Sequence, residues 1–162
     1  MEKFNIKEIA IAGLIAAVYT VLTLVFLPIS FGVYQVRIAE ALTVLPFITR
    51  SAIPGLFVGC LLANIFGGMG WLDIVFGSLI TLAAAIATRL VRTKLPFKKY
   101  NKLLAPLPPV AFNAFGVSLY LAPLLGFNYW FSVQMVGIGE LIACYIIGLP
   151  LLILLEKRKI FI

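Results

Sequence analysis

The feature that most constrains this chain is a succession of apolar segments, each near the length of a membrane span and separated by short breakers. Ile9 to Leu27 holds no charged residue, and further apolar stretches begin near Ala52, Leu72, Leu103 and Trp130. A helix crossing the hydrocarbon core of a bilayer needs about 20 residues. Of the 162 residues 63% are hydrophobic, against about 45–50% in a soluble domain. That leaves too little polar surface to coat a soluble globule, so the chain reads as an integral membrane protein. Backbone groups in lipid must be satisfied within their own segment, which makes the spans helices.

Six spans consume roughly 120 residues. What remains suffices for connections, so residues 1–162 read as a single transmembrane domain without a soluble one. A cleaved signal peptide is not expected: the first apolar run exceeds the usual h-region and lacks an A-x-A site at its end. Cys60 and Cys144 fall inside apolar spans and read as buried small side chains rather than a disulfide framework. The absence of histidine weighs against a transition-metal site and imidazole acid–base chemistry. No metal and no cofactor is expected.

Breakers delimit the spans. The first covers about 6–27 and is stopped by Pro28, followed by a polar-aromatic link over 29–36. The second, about 37–48, is too short to span fully and is bent or ended near Pro46. The third, about 52–66, tolerates Pro54 in its first turn and closes at Gly67, Gly68 and Gly70. The fourth covers about 72–91, the fifth about 103–122 and the sixth about 130–155. The fold class is therefore an all-α six-helix membrane bundle.

Of the 13 basic residues, all but Arg37 fall on one face of this arrangement. The positive-inside bias places that face, and both termini, in the cytoplasm. The same bias explains the net charge of +7, so nucleic acid is not an expected partner.

Away from the termini the chain carries only three acids, Glu40, Asp73 and Glu140. A carboxylate in hydrocarbon costs at least about 2.5–3.5 kcal/mol and persists with a partner, a water cavity or a ligand. In the six-span topology all three lie in the outer half, as do Asn64 and Asn113, and no comparable set occupies the inner half. This one-sided polarity points to a binding cup open to the outside. Structural roles compete with ligand contact. Arg37 lies one turn from Glu40 and can pair with it. Asp73 can cap the fourth span. Asn64 and Asn113 can join helices at about 0.6 kcal/mol each. Glu140 has no basic neighbour in sequence and lies deepest. Gln134 sits about 120° around the helix from Glu140, so the two cannot squarely face one pocket, and Gln134 is the lower-ranked candidate for substrate contact. Trp71, Trp130, Tyr34 and Tyr129 gather at the outer boundary, where they can stack on a flat ligand or form an interfacial aromatic belt.

Small residues recur every fourth position at Ala12 and Ala16, and at Gly55, Gly59, Ala63 and Gly67. Such stripes permit close helix contact, either inside the bundle or with a partner helix. No P-loop, H-E-x-x-H or G-x-S-x-G occurs, and no internal repeat supports an inverted-repeat carrier. A small binding protein without an engine is a facilitator or a subunit powered by others.

The stretch Val36-Arg37-Ile38-Ala39-Glu40-Ala41-Leu42-Thr43-Val44-Leu45-Pro46-Phe47 resembles the signature of the QueT family, as do Ile53 through Asn64 and Asp73-Ile74-Val75-Phe76-Gly77-Ser78. The resemblance covers nearly the whole chain and is strongest from Arg37 to Thr88. It implies a substrate-binding (S) component of an energy-coupling factor (ECF) transporter for queuosine precursors, a six-helix protein that captures its solute from outside. The implied partners are a transmembrane coupling subunit and two cytoplasmic ATPases, with Ala12 and Ala16 contacting the coupling subunit. The implied ligand is a 7-deazaguanine such as preQ0, preQ1 or queuine. One carboxylate, Glu140 or Glu40, can accept the two adjacent N–H donors of its guanine-like edge as a fork. Asp73 suits a cationic aminomethyl group, and Trp71 or Tyr34 suits stacking on the ring. The alternatives are an S component for another flat solute such as a pterin or flavin, a stand-alone facilitator, or a structural membrane subunit.

Overall fold

A computed structural model describes residues 4–30, 36–68, 70–96 and 100–161 of the chain. Among them there is no strand, and seven helices are present. We label them α1 (Ile6–Val25), α2 (Leu27–Ser30), α3 (Ile38–Phe47), α4 (Ala52–Phe66), α5 (Gly70–Lys94), α6 (Asn101–Leu125) and α7 (Tyr129–Lys157).

The count exceeds the six expected by α2. The first span ends at Val25, two residues before the expected Leu27, and Pro28 lies inside the short helix α2 that follows rather than stopping the span. A proline near a helix start removes only an N–H that has no partner there and sets φ for the turn. Tyr34 lies outside the described residues.

Only α1, α5, α6 and α7 are long and apolar enough to cross a membrane, whereas α3 and α4 are shorter apolar helices. α1 starts at a reciprocal capping box: Asn5 Oδ1 accepts from the Glu8 amide at 2.8 Å, and the Asn5 amide donates to Glu8 Oε2 at 3.0 Å. Large apolar side chains such as Ile6, Leu14 and Val21 on α1, Leu79 on α5 and Ile146 on α7 point outward, as a lipid-facing surface requires.

The centre of the bundle is α3, a ten-residue 3-10 helix buried continuously from Ala39 to Phe47. At about 2.0 Å rise per residue it reaches about 20 Å, where an α-helix of that length would reach about 15 Å. A helix apolar on every side is stable only when surrounded, and α1, α5 and α7 surround it. Its last carbonyls have no helical partner. Arg92 donates to the Phe47 carbonyl at 3.1 Å, and Arg89 donates to the Pro46 and Phe47 carbonyls at 3.3 and 3.4 Å. At the same end Arg50 pairs with Glu8 at 2.6 Å and Lys102 with Glu156 at 2.5 Å.

The two small-residue stripes pack on each other. A Cβ added to Gly59 would lie 2.9 Å from Tyr19 Cβ and 3.0 Å from the Ala16 carbonyl oxygen. Glycine at this position lets α4 lie directly on the α1 backbone. Thr20 Oγ1 donates to the Gly59 carbonyl at 3.1 Å, tying the two helices.

α5, α6 and α7 share an irregularity. Each contains a π-helical turn, at Asp73–Gly77, Asn113–Val117 and Ile142–Gly148. Such turns are rare and concentrate at functional sites.

Candidate functional site

The departures from α geometry coincide with the polar residues singled out in the sequence. Asp73 opens the first π turn and Asn113 the second, Glu140 lies two residues before the third, and Glu40 sits in the first turn of the 3-10 helix. An extra residue in a turn rotates the side chains that follow, so the faces of α5, α6 and α7 change phase just beyond these polar groups.

These groups meet there. Glu40, Asn64, Asp73, Asn113, Glu140 and Arg37 are all no more than 5% exposed. Tyr19 of α1 donates its phenol to Glu40 Oε1. Asn113 Nδ2 donates to Glu140 Oε1 at 2.9 Å. The Cys144 thiol, one turn beyond Glu140, lies 3.5 Å from Glu140 Oε2 and 3.4 Å from the Glu40 carbonyl oxygen, so it bridges α7 to α3. Thr43 Oγ1 lies 3.5 Å from the same sulfur.

A second group of contacts adjoins this one. Arg37 forms an ion pair with Asp73 Oδ1 at 3.4 Å and donates through Nε to the Ser30 carbonyl at 3.4 Å. Tyr120 of α6 donates to the same Asp73 oxygen at 2.9 Å. Asn64 Nδ2 donates to the Asp73 carbonyl at 2.8 Å. Gly77 makes room for this knot, since a Cβ there would sit 3.2 Å from both Asn64 Nδ2 and the Tyr120 hydroxyl.

Asp73 is thus an internal ion-pair partner in the first turn of α5, with no cap bond from its side chain to that helix. The described ion pair of Arg37 is with Asp73 rather than with its sequence neighbour Glu40. Arg37 precedes α3 in extended backbone (φ −85°, ψ 101°), so helical spacing does not direct its side chain.

Among the described residues these polar groups are buried and largely satisfy one another, but Glu40 Oε2 and Asn64 Oδ1 are buried and have no hydrogen-bond partner. Leaving a buried polar atom unpaired costs about 1–3 kcal/mol. Both orphan atoms are acceptors, so the missing groups are donors.

Other sequence candidates stay outside. Trp71 and Trp130 are 67% and 64% exposed, and Gln134 is exposed. Trp71 connects indirectly, through ring contacts of 6.2 Å to Phe76 and 6.4 Å from Phe76 to Tyr120. Tyr19, Thr43, Cys60, Thr81, Tyr120 and Cys144 were not singled out, yet most lie at helical spacing from residues that were. Cys60 is four before Asn64, Tyr120 seven after Asn113 and Cys144 four after Glu140. Searching each span for polar or sulfur side chains on the face of its amide or acid would have found them.

A helical bundle with an apolar exterior and a polar cluster buried inside is the architecture of a membrane protein. The chain belongs to the QueT transporter family, whose model matches residues 9–157. That family is one of transporters rather than enzymes. Neither the curated proteins nor the solved structures contain a match to this chain.

Proposed function

We propose that the protein is the substrate-capturing subunit of an ECF-type importer, binding a 7-deazaguanine queuosine precursor within the polar knot. The observation that carries this reading is the pair of orphan acceptors, Glu40 Oε2 and Asn64 Oδ1, buried among residues from six elements of the bundle. A guanine-like ring presents amide and amine N–H groups on one edge, and a carboxylate receives two such donors as a fork. Glu40 is the acid with an oxygen to spare. Glu140, with Asn113 and Cys144 already on its oxygens, fits the remainder of the ring or a side group.

Family membership supports transport, and a sequence without a P-loop motif agrees with ATP hydrolysis by partner subunits. The basic residues gathered opposite the knot, with Arg89 and Arg92 at the end of α3 and Arg50 beside Glu8, support an orientation with that end in the cytoplasm of a bacterial cell and the knot toward the outside. A shallow groove of about 220 Å³ between α1 and α4, bordered by Ala12, Gly13, Ala16 and Val58, fits a helix of the coupling subunit.

Mass spectrometry of the small molecule that co-purifies with the protein tests the substrate. A 7-deazaguanine is the expected finding, and a pterin or flavin in its place would overturn the reading. Uptake into liposomes by the isolated protein, without ATPase partners, would mark it instead as a facilitator.

A further inference from the structure

Two more buried side chains lack hydrogen-bond partners, one on α6 and one on α7. Ser118 and Ser132 are 0% and 2% exposed, and neither hydroxyl oxygen meets a donor or acceptor among the described residues. A hydroxyl inside a helix ordinarily turns back to the carbonyl four residues earlier. Thr20, Thr23, Ser78 and Thr81 do so, at 2.7–3.0 Å. Ser78 is a direct comparison for Ser118. It follows the π turn of α5 and bonds the Ile74 carbonyl at 2.7 Å, whereas Ser118 follows the π turn of α6 in the same position and does not bond the Ala114 carbonyl. The local backbone therefore allows the back-bond, and the Ser118 hydroxyl is not held by its own helix.

The two serines share a level in the bundle. Asn113 meets Glu140 at 2.9 Å, and a Cβ on Gly137 would lie 3.5 Å from Ala114 Cβ. Continuing that antiparallel register, Ser118 comes level with about 133–135 of α7, within one turn of Ser132. Ser132, Val136 and Glu140 lie on the buried strip of α7, and Ser118 lies on that of α6 with Asn113. Val117, Leu121 and Val136 form a buried apolar cluster against which Tyr120 packs, and Tyr120 is bound to Asp73 in the knot. Ser118 and Ser132 thus bring two hydroxyl groups into an otherwise apolar layer that adjoins the knot.

We propose that the substrate site extends from the knot into this layer, and that Ser118 and Ser132 bind a hydroxyl-bearing substituent of the ligand. This rests on the reading of the knot as the substrate site and narrows the ligand it takes. A hydroxyl both donates and accepts. A substituent with two hydroxyl groups therefore satisfies each serine in both senses, whereas an ammonium group only donates and a nitrile only accepts. The ring edge stays with Glu40 and Asn64, whose orphan oxygens receive its N–H groups. The class that fits is a 7-deazaguanine whose 7-substituent carries a diol, rather than one that ends in an amine or a nitrile. An analogue without hydroxyls leaves both serines unpaired in an apolar layer, which is the situation in which a polar site rejects a ligand most strongly. Serines also serve as small packing residues between membrane helices, and alanine separates the two roles because it keeps the packing and removes the hydroxyl.

Calorimetry on the purified full-length protein tests this with queuine, whose substituent ends in a cyclopentenediol, and preQ1, which ends at the aminomethyl group. Queuine is expected to bind at least about tenfold more tightly. Equal or weaker binding of queuine overturns the inference while leaving the knot standing as the substrate site. Failure of both compounds to bind overturns the site reading and the inference with it. In the double variant S118A/S132A the preference for queuine over preQ1 should fall at least about tenfold. A preference that persists, or an equal loss for both ligands, would leave the serines a packing role and overturn the inference. Because neither hydroxyl has a partner, the ligand-free double variant should unfold at a midpoint no lower than that of the parent. A lowered midpoint would show both hydroxyls already bonded without ligand and overturn the inference as well.

Discussion

The phenol of Tyr19 donates to one oxygen of Glu40, and the other oxygen of that carboxyl group meets no donor. Tyr19 is fully buried, with its Cβ against Gly59. Tyr19→Phe keeps that packing and removes only the donor, leaving both oxygens of Glu40 unsatisfied. A stability loss of about 1–3 kcal/mol is expected, read as a lowered midpoint in thermal unfolding of the detergent-solubilised protein. An unchanged midpoint would show that Tyr19 contributes packing alone.

Arg37 and Asp73 carry a second expectation. A buried ion pair adds little net stability, yet removing one partner strands the other and costs about 3–5 kcal/mol. Arg37→Met and Asp73→Leu should each be severely destabilising, with the double substitution recovering much of the loss. The coupling energy from a double-mutant cycle measures this directly. Strictly additive effects would mean the 3.4 Å contact does not tie the segment before α3 to the first turn of α5.

The membrane architecture was legible because span length and apolar content are set by the bilayer. The limits of α4 agree with those expected from Pro54 and the glycines after Phe66, and the shortness of α3 with the short segment of about 37–48 that Pro46 breaks. Its 3-10 geometry was not legible, since the pattern of a helix buried on all sides has no polar face to reveal a period. The π turns of α5, α6 and α7 were equally hidden: an inserted residue changes the phase of a helix without changing its composition. Helical spacing would match Arg37 to Glu40, but Arg37 precedes α3 in extended backbone, and its described ion pair is with Asp73. The gathering of Glu40, Asn64, Asp73, Asn113 and Glu140 was foreshadowed by their scarcity. The way they are satisfied was not, because it depends on Tyr19, Tyr120 and Cys144, ordinary residues for an apolar span.

Ligand binding should separate the acids. Glu40→Gln replaces an acceptor with an amide that also presents donors, so donor would meet donor at the orphan position. Affinity for a 7-deazaguanine should fall at least tenfold, about 1.4 kcal/mol. Gln134, exposed on α7, should tolerate replacement by alanine with affinity changed less than about twofold, within the range of surface substitutions. Isothermal titration of both variants decides this. A larger loss in Gln134→Ala than in Glu40→Gln would move the site to the outer end of α7.

The α1 surface separates folding from coupling. Ala16 is 6% exposed and lies against Gly59, so Ala16→Trp would drive its ring into the α4 backbone and break the bundle before any partner is consulted. Gly13, one helical step from Ala12, has nothing within 4 Å of where a Cβ would be, and it borders the same α1–α4 groove. Gly13→Trp should therefore leave the protein folded and able to bind its ligand. If the groove seats a helix of the coupling subunit, the indole fills that seat, and co-purification with the coupling subunit and ATP-driven uptake should both be lost. Circular dichroism, ligand titration and pull-down on the one variant supply the three readouts. Normal assembly of Gly13→Trp with its partners would place the coupling surface on another face of the bundle.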